Sequence, residues 1–336
     1  MQKNRVLLVC LSIVLILSLS LTGMAAGKTF KVAMVTDIGG LGDKSFNDAA
    51  HDGLKMLKKQ YGNNVEIKVV ESSKMEDYVP NLKSLADQKY DMIWAIGFLM
   101  GDALTEVSKA YPNQKFGIID SEVKNPNVQS VLFKEQEGSF LVGVIAATDS
   151  KSHKIGFVGG MEFPLIKKFE AGYRAGAKAV DPKIQIFSQY AGAFDNPTKG
   201  KELAASQYAV GADVVYHAAG GTGLGVIAAA KEKGNGYWAI GVDKCQHSEG
   251  VVNGKDRVLA CMIKRVDIGV FRASSDAMNG KFKAGVVEYG LSDNGVGVCD
   301  SAKKTASAKA LAAVEKYKKL IAAGKQKVPT DPKEVK

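Results

Sequence analysis

Histidine and cysteine are scarce in this chain, with 4 of each among 336 residues. No C-x-x-C or H-E-x-x-H spacing occurs, and His51, His153, His217 and His247 are scattered, so each reads as a surface or satisfied core residue and no metal site is expected. No G-x-S-x-G turn marks a nucleophile, and nothing singles out a carboxylate pair, so no catalytic residue is assigned. The run AAGGTGLGVIAAA (218–230) stops short of a dinucleotide loop, because Val226 stands where the third glycine of G-x-G-x-x-G belongs. No cofactor is expected. Charge of one sign is never gathered into a block. Lysines are spread over every helical segment, which describes a solvated basic surface and argues against a nucleic-acid partner.

One long apolar run is present. Lys3 and Arg5 precede Val6 to Leu21, and the small-residue stretch Gly23-Met24-Ala25-Ala26-Gly27 follows, the order of a secretory signal covering residues 1–26. Met24 stands where a lipoprotein would carry its cysteine, and Cys10 lies too early, so a free periplasmic or extracellular protein is expected rather than a lipid-anchored one. Removal of Lys3 and Arg5 lowers the formal charge from +10 to +8. Cys245, Cys261 and Cys299 remain, an odd number in a compartment that permits disulfides. They read either as one pair and one free thiol or as three buried reduced residues.

The whole chain is 46% hydrophobic and 24% charged, globular composition long enough for two domains. Strand-like and helix-like segments alternate: Phe30–Thr36, Phe46–Tyr61, Val65–Val70, Tyr78–Lys89, Met92–Ile96, Ala103–Ala110 and Phe116–Ile119. Such alternation predicts βαβ units around a parallel sheet. Phe46, Ala50, Leu54 and Leu57 share one face of the first helix, and Ser45 is placed as its N-cap. A second series of the same kind runs from Lys154 to Val242. The last third adds strand Val258–Ile263, helix Val266–Met278, a short strand Val286–Tyr289 and a lysine-rich helix from about Thr305 to Ala323. An α/β chain that finishes two lobes and then crosses back predicts a hinge with a cleft between them.

In open α/β sheets ligands sit beyond the carboxyl ends of the strands. Those ends carry Asp37, Gly97-Phe98, Asp120, Phe194, Gly220-Gly221 and Asp243. Carboxylates accept hydrogen bonds from hydroxyl or ring N–H groups, aromatic faces stack on flat rings, and glycine lets a ligand approach the main chain. A lone strand-end Asp is more often a turn former. The recurrence of such residues at equivalent ends of both halves is what points to binding.

With Asp37, DKSFND, YPNQKFGIID, AGAFDNPTKGKELA, GVD and CMIKRVD in this order, the sequence resembles the basic membrane protein family of ABC-transporter solute-binding proteins, and among these the purine-nucleoside receptors. The resemblance runs from about Phe30 to Gly297. It implies an α/β protein of two Rossmann-like lobes, the type I periplasmic binding protein fold, joined by a three-segment hinge and closing on a nucleoside that is delivered to a membrane permease. It implies that Phe46 and Phe194 sandwich the base, that Asp37 and Asn47 bond its edge, that Asp120, Asp243 and Lys264 hold the ribose, and that Gly220 and Gly221 lend main-chain groups. A Cys245–Cys261 disulfide is the pairing expected from where those residues depart from the family's pattern.

On this reading residues 27–133 with 264–283 form the first lobe, 134–263 with 284–325 the second, and 326–336 a flexible tail. A monomeric, non-enzymatic binder of adenosine, guanosine or inosine is expected. The alternatives are the same fold holding riboflavin or a sugar and, at lower weight, a nucleoside hydrolase.

Overall fold

The computed structural model describes residues 29–335; the expected signal segment lies outside the described residues. In chain order the first α/β series is β1 (Phe30–Val35), α1 (Phe46–Tyr61), β2 (Val65–Val70), α2 (Tyr78–Asp87), β3 (Met92–Ile96), α3 (Gly101–Ala110), β4 (Phe116–Ile119) and β5 (Val128–Phe133). The second is α4 (Glu135–Asp149), β6 (Lys154–Gly159), α5 (Pro164–Val180), β7 (Gln185–Tyr190), α6 (Pro197–Ala209), β8 (Val214–Ala218), α7 (Thr222–Lys233), β9 (Trp238–Asp243), α8 (His247–Gly250) and β10 (Val258–Lys264). Then follow α9 (Val266–Met278), β11 (Gly285–Tyr289), β12 (Val296–Val298) and α10 (Ala308–Ala322).

The strands form two six-stranded sheets, ordered β11-β5-β4-β3-β1-β2 and β12-β10-β9-β8-β6-β7. The orders are equivalent position by position, with β1 matching β6 and β4 matching β9. Every pairing is parallel except β10 with β12. Central strands such as β3 and β8 are buried along their whole length, as strands covered by helices on both faces must be. The chain passes between the sheets three times, at β5–α4, β10–α9 and β11–β12. This is the two-lobe α/β architecture.

Three expectations need correction. Residues Gly285–Tyr289 belong to the first sheet, where β11 pairs in parallel with β5, and not to the second lobe; a five-residue strand carries no sequence signal of which edge it will extend. The tail is not loose: Val328 packs on the core and the turn Pro332–Glu334 lies against α5. The disulfide joins Cys245 to Cys299, while Cys261 is a buried free thiol. Register explains that last difference, because β12 lies antiparallel to β10 and sets Cys299 beside Cys261 through its backbone, Cys299 N–H donating to Cys261 O at 3.0 Å.

Helix α9 returns to the first lobe against α1. The Trp94 indole in β3 anchors it, donating to Ser274 Oγ at 2.9 Å in the core. In the second lobe α4 and α5 approach so closely that a Cβ on Gly176 would lie 1.9 Å from the Phe140 carbonyl oxygen, so only glycine allows this pairing.

Candidate functional site

The C-terminal strand ends of both sheets face one cleft between the lobes, with an empty volume of about 510 Å³ including the solvent at its mouth. Asp37, Phe46, Asn47, Asp120, Phe194, Gly220, Asp243 and Lys264 all line it. Gly221 is set back, its main chain beside the Phe194 carbonyl and Asp43.

The first-lobe wall begins where β1 ends. Asp37 Oδ1 accepts from Gly39 N–H at 2.9 Å and from Asn47 Nδ2 at 2.8 Å, which fixes the amide. Burial pushes the Asp37 carboxyl up to about 6 despite these bonds. Gly97, at φ +116, passes so near that a Cβ there would sit 3.0 Å from Asp37 Oδ2 and 3.4 Å from the Phe46 ring. Sequence reasoning missed Asp43. Its carboxylate accepts the N–H groups of Ser45, Asn47 and Asp48 at 2.9, 2.8 and 3.1 Å, so Asp43 holds the start of α1 and thereby aims Phe46 and Asn47. Burial raises it to about 7. A carboxylate two residues before the expected cap was the available signal.

Ser45 holds the N-cap position, its carbonyl accepting from Ala49 N–H at 2.9 Å, but its side chain makes no capping bond. Its hydroxyl crosses to the second lobe and donates to Asp243 Oδ2 at 2.6 Å. Asp120 and Asp243, at the ends of the equivalent strands β4 and β9, share a left-handed backbone, φ 66° and 63°. That conformation is uncommon for a residue with a side chain, and its repetition at matched positions marks the two carboxylates as parts of a built site.

Lys264, the last residue of β10, sits beneath the cleft and is only 2% exposed. Its ammonium contacts Asp120 Oδ2 at 2.5 Å and lies 3.9 Å from Asp243 and 4.0 Å from Glu135. The rings of Phe46, Phe169 and Phe133 surround it, their centroids 4.8, 5.4 and 5.6 Å away. Burial alone would lower the lysine, but Asp120, Asp243 and Glu135 outweigh it and hold it above its ordinary value. Burial raises Asp243 and Glu135, with Lys264 opposing the shift in both. Glu135, which starts α4 just past the first crossing, was also missed. No periodicity or motif distinguishes it from a surface glutamate.

The second-lobe wall is apolar: Leu165, Ile166 and Phe169 of α5, Phe194, Ala218 and Ala219. Phe194 lies over Gly160 and meets Phe98 of the first lobe edge-on at 6.1 Å, while Phe98 also touches Phe163 at 5.2 Å. The lobes thus close on one another at the mouth. Among the described residues, Asn47 Oδ1, Asp120 Oδ1 and Asp243 Oδ1 are buried acceptors without a hydrogen-bond partner. Unmade buried hydrogen bonds are costly, so these oxygens favour a ligand that brings several donors.

A two-lobed α/β cleft lined by strand-end carboxylates and aromatics defines a solute-binding protein. The match to known proteins agrees, since residues 30–331 fit the family model described as "ABC transporter substrate-binding protein PnrA-like", and the chain belongs to that Bmp family. It is 43% identical over 324 residues to the CD4+ T-cell-stimulating antigen of Listeria monocytogenes, covering 91% of this chain and 90% of that one. It is 39% identical to the ABC transporter nucleoside-binding protein BmpA of Lactococcus lactis, covering 89% of each. A solved solute-binding protein of an ABC transporter system from Aeropyrum pernix superposes with a TM-score of 0.80 at 29% identity, over 90% of this chain and 94% of that one. The chain is a substrate-binding protein of an ABC transporter rather than an enzyme. Among the described residues no helix is long and apolar enough to cross a membrane.

Proposed function

We propose that the ligand is a purine nucleoside, held in the cleft and passed to the transporter's membrane permease by a monomer acting outside the cytoplasm. The observation that carries this reading is the pairing of aromatic walls, Phe46 and Phe194, with the unpartnered oxygens of Asp120 and Asp243 in one cleft. A flat base fits between the rings. Asp37 and Asn47, already bonded to each other, offer one acceptor-rich edge and an amide to the base. Ribose hydroxyls supply donors to Asp120 and Asp243, and the Lys264 ammonium lies beside both carboxylates. Gly220, at φ +53, brings bare main chain to the same wall. The Lactococcus relative's name, a nucleoside-binding protein, supports the reading.

Isothermal titration of mature protein, unfolded and refolded to strip carried ligand, tests it against adenosine, guanosine, inosine, cytidine, riboflavin and ribose. Tight binding of purine nucleosides with no response to free ribose is the expected result. A response to riboflavin or ribose alone, or to none of these compounds, would overturn it.

A further inference from the structure

Away from the cleft, the disulfide has a third neighbour. Cys245 follows β9 by two residues, Cys299 follows β12, and His247 opens α8. The two sulfurs and an imidazole nitrogen of His247 lie within 4.8 Å of one another. His247 is buried, and its Nδ1 bonds Asp256 Oδ2 at 2.5 Å. Asp256 is itself held by Val258 N–H at 2.8 Å. The other ring nitrogen, Nε2, has no hydrogen-bond partner among the described residues. A carboxylate holding one imidazole nitrogen so that the other stays free is the arrangement that orients metal-ligating histidines. Cys245 is exposed and Cys299 partly so, which leaves the sulfurs open to reductants and ions.

We propose that Cys245, His247 and Cys299 form a redox-gated site for a zinc-class divalent cation, closed as the disulfide and open as the dithiol. Two equivalents of a small thiol, or one of a dithiol, reduce the bond; two hydrogens pass to the cysteine sulfurs, and the reductant leaves as its own disulfide. The cation then displaces one proton from each thiol and takes the two thiolates and His247 Nε2, with water in the fourth position of a tetrahedral shell. Cys261 is no competitor. It is fully buried, which pushes its thiol up to about 12, and its sulfur already accepts from Gln246 N–H at 3.2 Å. The inference does not depend on the ligand proposed for the cleft.

The test uses the full mature chain, reduced with a dithiol, desalted without oxygen and titrated with Co²⁺, whose thiolate charge-transfer and tetrahedral d–d bands report the donor set. Reduced protein should bind one Co²⁺ per chain, displaceable by Zn²⁺, and oxidised protein none. Cys299→Ser and His247→Gln should each weaken binding at least ~10-fold, Asp256→Asn by roughly 10–100-fold, and Cys261→Ala should leave it intact. No uptake by reduced protein, equal uptake by oxidised protein, or charge-transfer bands undiminished in folded Cys299→Ser and His247→Gln would each overturn the proposal. Should a variant fail to fold by circular dichroism, the comparison of reduced with oxidised wild type still decides it.

Discussion

The two walls of the cleft are built in opposite ways. On the first lobe the polar groups hold one another: Asp43 anchors α1, and Asn47 bonds Asp37 across the turn, all within that lobe. The second lobe offers an apolar face from α5 and the loops after β7 and β8, and its own polar contributions, Asp243 and Lys264, are met from the other side by Ser45 and Asp120. One wall is therefore tied together within its own lobe, while the polar groups of the other find partners across the cleft. On the proposed reading, the first-lobe wall would read a ligand's polar edge, and the approach of the second lobe would add stacking and sugar contacts.

The largest blow to this division should come from the residue joining both walls. Lys264→Met leaves Asp120, Asp243 and Glu135 buried without their cation, and breaking such a buried ion set typically costs about 3–5 kcal/mol. Chemical denaturation at pH 7 should show a loss of that order, smaller at pH 5 where Glu135, raised by burial to about 7, can protonate. Equal stability at both pH values would mean that the lysine is not balancing these charges.

Next are the aromatic faces. Phe46→Ala and Phe194→Ala should each weaken ligand binding by roughly 1–3 kcal/mol, the scale of base–aromatic stacking. Calorimetry on both variants sharpens the contrast, because loss from only one would confine stacking to a single lobe.

Titration distinguishes the first-lobe wall. Asp37 is raised to about 6 from 3.8, so between these values the folded state binds more protons than the unfolded, and stability falls as pH rises through that window. Buried His217, lowered to about 4 by burial, acts with the opposite sign, its contribution growing from pH 4 to 6.5. The clean quantity is therefore a difference: ligand-free wild type should lose about 2–3 kcal/mol relative to Asp37→Asn between pH 4 and 7. Parallel stability curves would contradict the burial argument.

The smallest effect belongs to the lobe-to-lobe ion pair Lys244–Asp52, at 2.6 Å and partly exposed. Lys244→Ala should change ligand affinity by about 0.2–1 kcal/mol, and the change should fade at high salt. A large, salt-independent effect would make this pair part of the closure machinery.

Much of this was legible because it is local. Alternating apolar runs and helical periodicity located most strands and helices, and strand-end positions picked out Asp37, Asp120 and Asp243 without any structure. The resemblance then supplied Phe46, Asn47 and Lys264 and gave Phe194, already marked by its position, a stacking role. Asp43 and Glu135 escaped because their importance lies in being buried near particular backbone groups and charges, which nothing in their neighbours along the chain announces.

The sequence by itself determined the α/β alternation, the two-lobe repeat and the chemical types at the strand ends, since these follow from side-chain periodicity and backbone preference over a few residues. Only the tertiary structure decided that β11 extends the first sheet, that the Ser45 hydroxyl serves Asp243 instead of capping its helix, and that Cys245 pairs with Cys299 over a separation of 54 residues. Each of these is a choice among partners distant in the chain, made by which pairing buries the most surface with its polar groups satisfied, and that competition is settled in three dimensions.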